Sequence, residues 1–246
     1  MPAPIFHMIA NAPRPVAAPA AAPTRNAAGA SGRNSSGPNT IIDPVNPLGV
    51  TPMHMPFEGT ITLTPDTYMR VVIETCVSTA KHGAKYLMLM NWHEGNIPSL
   101  AIAAEALHRE HGMSVLTVQA CYVAEELYGG SCNGLTHGGE IEALAVLANR
   151  PDLVHLDRID YSSDHQHGHK MDRLRRTRAY QPVLTDIRSI APTGWFGSPQ
   201  HATADKGHKM LNDICDAIAK EAREIYRQLD AVQGGPREIK QVRQVG

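Results

Sequence analysis

Between Thr64 and Gly83 apolar residues recur at intervals of three and four: Met69, Val72, Ile73, Cys76, Val77 and Ala80. That is the period of one buried helix face. Thr64 supplies an N-cap, Pro65 the first helical position and Gly83 the stop. The pattern then changes to KYLMLM, a short unbroken apolar run that predicts a strand. IPSLAIAAEALHREHG, with Pro98 near its start and Gly112 at its end, predicts a second helix, and SVLTVQACY the next strand. GGEIEALAVLANRP predicts a helix stopped before Pro151. A last helix is predicted from about Ala204 to Leu229, with Leu211, Ile214, Ile218, Ile225 and Leu229 on one stripe. Strands separated by helices of this length imply parallel βαβ units. The predicted fold class is α/β, a single domain with a mainly parallel sheet flanked by helices.

Residues 1–39 break this pattern. APRPVAAPAAAPTRNAAGASGRNSSGPN is rich in Ala, Pro, Gly, Ser and Asn, with almost no large apolar side chains. Such a segment buries too little surface to offset its ordering entropy, so it is expected to be disordered or atypical. It also reads as a replaced N-terminus, translated out of register. Residues 40–232 are expected to form the folded domain and 233–246 a tail.

Composition excludes several classes. A formal net charge of −1 at pH 7 and a pI near 6.9 leave no global field for nucleic acid or an acidic membrane surface. No apolar run approaches the roughly 20 residues of a spanning helix, and no signal peptide is read at the N-terminus. Cys76, Cys121, Cys132 and Cys215 show no CxxC spacing. Reduced thiols in a cytoplasmic protein are the plain expectation.

Two clusters carry candidate chemistry. In YLMLMNWHEGN the strand runs into Asn91, Trp92, His93, Glu94, Gly95 and Asn96. Ligands of open α/β sheets bind outside the carboxyl ends of the strands, so a site is expected where His93 and Glu94 fall. In THGGEIEALAVLANRPDLV, His137, Glu140 and Glu142 gather at the start of a helix. The two glutamates sit about 200° apart on an ideal helix, so at most one enters a given site. The bland alternatives are a strand-end histidine bonded to backbone and glutamates that only complement the helix dipole. SSDHQHGHKMDRLRRTR alternates His165, His167 and His169 and clusters Arg173, Arg175, Arg176 and Arg178. It reads as a polar loop followed by a solvated face or subunit contact.

Together these clusters resemble the creatininase (creatinine amidohydrolase) family. The family's N-G-H-x-x-N loop is matched by Asn91 to Asn96. Its H-x-G-E-x-E-T-S motif is matched by His137, Gly139, Glu140 and Glu142. MHMPFEGTITL is similar to its H-x-x-F-P-G-T segment, and GWFGSPQHATADKGHKML to its G-x-x-G-x-P-x-x-A-T-x-x-K-G segment. The resemblance spans about residues 40–229. It implies an α/β hydrolase that opens a small cyclic amide with a water activated by divalent ions, Zn, Mn or Fe, and it implies a homo-oligomer. By position it makes His93 a metal ligand and His137 and Glu142 catalytic, and Glu94, one residue ahead of the family's glutamate ligand, is expected to be a second ligand. Trp92, Asn96 and Glu140 are expected to bind a small-molecule substrate. Gly95 stands where some members carry a glutamate ligand, and residues 1–53 show nothing like the family's E-x-H-G-x-H-L-P strand. Two readings therefore stand beside the amidohydrolase: an inactive or truncated member serving as a binding or oligomeric protein, and a hydrolase of a lactone or cyclic ketone.

Overall fold

A computed structural model describes residues 6–10, 40–42, 48–161, 183–236 and positions 168, 170, 171 and 174. The histidines 165, 167 and 169 and the arginines 173, 175, 176 and 178 lie outside the described residues, as does the tail from 237. Four parallel strands form one sheet in the order β2-β1-β3-β4: β1 Phe6–Ala10, β2 Thr40–Ile42, β3 Tyr86–Asn91 and β4 Ser114–Gln119. The helices that accompany it among the described residues include α1 Pro65–Lys81, α2 Ile97–His111, α3 Ala120–Tyr128, α4 Glu140–Leu147 and α5 Ala204–Gln233. The α/β class with a parallel sheet is as the pattern predicts.

The strand β1 corrects one expectation. Phe6–Ala10 lies inside the sheet, paired residue for residue with Tyr86–Met90 on one side and through Phe6–Met8 with β2 on the other. A disordered or atypical segment is expected over residues 1–39 because of the Ala- and Pro-rich stretch that follows FHMIA. A parallel partner distant in sequence supplies the pairing that local composition does not reveal.

β3 shows why the sheet is covered on both faces. Its side chains alternate, so Leu87 and Leu89 pack with Val72, Cys76, Leu100, Ala103 and Leu107 of α1 and α2. Met88 and Met90 turn the other way, against Ala124, Leu144, Met210 and Ile214 of α3, α4 and α5. Leu87 and Leu89 are almost wholly buried, which stabilises the fold by about 1.5–3 kcal/mol for each side chain. The caps behave as read. Thr64 accepts from the Thr67 N–H at 3.4 Å, and Gly112 closes α2 in the left-handed region at φ 66°.

Two boundaries differ from the pattern. SVLTVQACY is strand only to Gln119. Ala120, Cys121 and Ala124 already form the buried stripe of α3, and no Gly or Pro separates the strand run from the helix stripe. On α5 the buried row is Gly207, Met210, Ile214, Ile218, Ala222 and Tyr226, while Ile225 is exposed. Steps of four residues drift by about 40° each around a helix. The covered face therefore rotates along α5, from α4 at its start toward β3, whose Leu87 carbonyl accepts from the Tyr226 hydroxyl. No helix among the described residues is long and apolar enough to cross a membrane.

Candidate active site

The carboxyl end of β3 is built around Asn91. It is buried, and its register partner on β4 is Gln119. Its Nδ2 donates to the Gln119 Oε1 at 2.6 Å and to the His93 carbonyl at 2.7 Å. Its Oδ1 accepts from the His93 N–H at 3.3 Å and from the Asn96 Nδ2 at 3.1 Å. Asn96 passes the connection on, accepting from the Val50 N–H at 2.8 Å. A buried amide with every donor and acceptor engaged fixes the chain direction after the strand. His93 is then held by both its backbone groups, and its Nε2 lies 3.1 Å from the Val50 carbonyl.

The second loop is shaped by close approach rather than by amides. Gly138 has φ 63°, and a Cβ there would stand 2.7 Å from the Trp195 Cβ. Its N–H donates to the Glu142 Oε2 at 2.5 Å, and the His137 carbonyl accepts from the Phe196 N–H at 2.8 Å. The segment around Trp195 and Phe196 thus clamps the loop that carries His137. Glu140 turns the other way, buried, with its Oε1 2.5 Å from the Lys206 Nζ of α5. The two glutamates part, as their spacing on the helix requires.

Both loops open on one cavity of about 170 Å³. His54, His93, His137, Glu94 and Glu142 supply its polar wall. Trp92, Leu135, Ile187 and Phe196 are among its apolar side. The ring of His54 stands 4.8 Å from that of His137 and 6.0 Å from that of His93, centroid to centroid. Burial, and then the neighbouring His93, lowers the pKa of His54, so the ring is neutral at pH 7. Cys121 also lines the cavity. Burial, followed by the charges of Glu94 and Glu142, pushes its thiol up to about 12, which leaves it protonated and unsuited to nucleophilic attack.

The structure brings His93, Glu94, His137, Glu142 and Trp92 to this cavity and leaves two expected substrate contacts out of it. Asn96 is enclosed in the Asn91 network, and Glu140 in its ion pair with Lys206. Both are buried and off the cavity wall, Asn96 spent on its amide hydrogen bonds and Glu140 turned toward Lys206. His54 is the residue that the pattern reading did not single out, although it stands in the MHMPFEGTITL segment.

A divalent ion needs several converging imidazole and carboxylate donors. Imidazoles and carboxylates are the right chemistry. Among the described residues, however, no three His, Cys, Asp or Glu side chains converge to hold one. At Gly95 a Cβ would run into the Val50 carbonyl and stand 2.5 Å from the His93 Nε2, so no glutamate side chain is accommodated there in this arrangement. The described residues do not by themselves make a metal shell.

Comparison with known proteins gives a consistent picture. The family model described as "Creatininase: Creatinine amidohydrolase" matches residues 15–222. The mycofactocin precursor peptide peptidase of Mycobacterium ulcerans (strain Agy99) is 26% identical over 190 residues, covering 76% of this chain and 67% of the relative. The creatinine amidohydrolase of Pseudomonas putida is 28% identical over 185 residues, covering 69% and 67%. Among solved structures, "Creatininase Mn" superposes with a TM-score of 0.57 at 24% identity, over 75% of this chain and 76% of that one. A creatinine amidohydrolase (creatininase) does so with 0.55 at 24%, over 74% and 75%. At that identity these structures speak for the fold.

Proposed function

The chain belongs to the creatininase family, and from that premise we propose that it is a hydrolase that cleaves an amide C–N bond of a small substrate in the cavity. One observation carries the reading: His93 and His137, from two separate loops, face the same cavity at the carboxyl end of β3, with Glu94 and Glu142 on its wall. Hydrolysis of an amide needs a proton delivered to the leaving nitrogen as water adds to the carbonyl carbon. His137 takes that role. Glu142 holds the Gly138 N–H and thereby the curve of the loop on which His137 rides. The apolar wall of Trp92, Leu135 and Phe196 shields the reacting carbonyl from bulk water.

In this reading His93, with the adjacent Glu94, would ligate a divalent ion, Zn, Mn or Fe, in a homo-oligomeric enzyme. The described donors are too few to hold such an ion, so no step is assigned to it. That same shortage favours a second reading, a family member that binds a small molecule without turning it over. Metal analysis and turnover of a panel of small cyclic amides decide between them. About two tightly held divalent ions per chain, with ring opening, support the enzyme; no metal and no turnover support the binding protein. In the enzyme, His137→Ala lowers kcat by about 10²-fold, and unchanged kinetics removes His137 from the mechanism.

A further inference from the structure

His54 is the third imidazole of the cavity, and its surroundings are unusual. The segment that carries it is bonded to itself. The Thr51 N–H donates to the Thr62 Oγ1 at 2.7 Å, and the Thr60 hydroxyl donates to the His54 carbonyl at 3.0 Å. The Thr51 hydroxyl is hydrogen-bonded to the His54 Nδ1. The ring is thus held at its Nδ1, with the His137 ring 4.8 Å and the His93 ring 6.0 Å away. Its Nε2 is buried and has no hydrogen-bond partner among the described residues. A buried nitrogen left unpaired is destabilising, and an apolar side chain of the same shape would remove that cost.

We propose that His54 is a positioning residue of this site, which sets the orientation of the His137 imidazole and gives it a nitrogen partner when substrate is bound. The two rings are tilted by 36° at 4.8 Å. At that centroid separation, nitrogens of the two rings come within hydrogen-bond reach when they face each other. A His137 ring turned to face it satisfies the unpaired nitrogen, which favours that state for the reaction. The role rests on the hydrolase reading, in which His137 carries the proton. Its structural half is testable without turnover.

The test uses the full chain with His54→Phe, which keeps a ring and removes both nitrogens, and His54→Gln, which returns a nitrogen near the Nε2 position. Long-range proton–nitrogen spectra of the histidine rings read the His137 tautomer directly. In His54→Phe the His137 ring signals move, kcat on the best amide of the panel falls about 10-fold or more with KM within about 2-fold, and Tm holds or rises. His54→Gln recovers part of kcat. Unmoved His137 signals in His54→Phe overturn the proposal, as does a lower Tm with kcat intact. Should His54→Phe fail to fold, Thr51→Val releases the Nδ1 and must displace the same signals, or the proposal fails. Moved signals in a protein whose wild type hydrolyses nothing uphold the positioning and sink the hydrolase reading instead.

Discussion

The two loops that meet at the cavity are secured by opposite means. After β3, the chain is tied by side-chain amides: Asn91 makes four hydrogen bonds, and Asn96 carries the connection to Val50. Before α4, the chain is seated by shape, with Gly138 against Trp195, and by one buried charge pair, Glu140 with Lys206. The first arrangement is local, since nearly all its partners lie within a few residues or on the adjacent strand. The second depends on α5. One imidazole is therefore presented by the sheet, and the other by the Trp195–Phe196 segment and a helix that arrive much later in the chain.

This contrast can be broken at several points. Lys206→Met should have the largest effect, because it leaves the buried Glu140 carboxylate without its cation. Loss of a buried partner costs about 3–5 kcal/mol, and partial exposure of Lys206 places this case at the lower end. Denaturant unfolding reads it as a lower midpoint with an unchanged slope. Asn91→Ala should cost about 3 kcal/mol, since several buried donors and acceptors lose their partner at once. Gly138→Ala should cost about 2 kcal/mol from the left-handed backbone and the contact with Trp195, with activity falling more than stability. A double variant of Asn91→Ala with Lys206→Met sharpens the comparison. If the loops are held independently, the two losses add within about 0.5 kcal/mol; a larger coupling means that they form one unit.

The smallest effect is one of pH. The hydrogen bond to Glu140 raises the Lys206 pKa above its ordinary 10.5. A cation whose pKa is higher in the folded state binds its proton more tightly there, so its stabilisation is complete below pH 10.5 and is lost as pH rises through the folded value. Alkaline unfolding should therefore show a limb above pH 10.5 in the wild type that is absent from Lys206→Met.

Much of this could be read in the chain. The switch from an apolar run to NWHEGN marked the strand end at Asn91, and the separation of Glu140 and Glu142 followed from helix geometry alone. The remainder depends on partners far away in sequence. Nothing near Glu140 announces Lys206, so a buried pair looks the same as a solvated glutamate. β1 carries no alternation of its own and is recognisable only beside Tyr86–Met90. His54 was visible in its segment, but its unpaired nitrogen belongs to the packed state, where burial decides which polar atoms lack partners.

The strut from Lys206 to Glu140 has a consequence for biosynthesis. All the cavity-lining residues named above precede Ala204, so a ribosome releases the site's chemical groups before it releases the helix that braces them. A nascent chain at that stage has its histidines but an unmatched carboxylate under one of their loops. Competence should therefore appear late and abruptly, when α5 docks. A fragment stopped ahead of that helix would be inert despite possessing the full set of cavity groups.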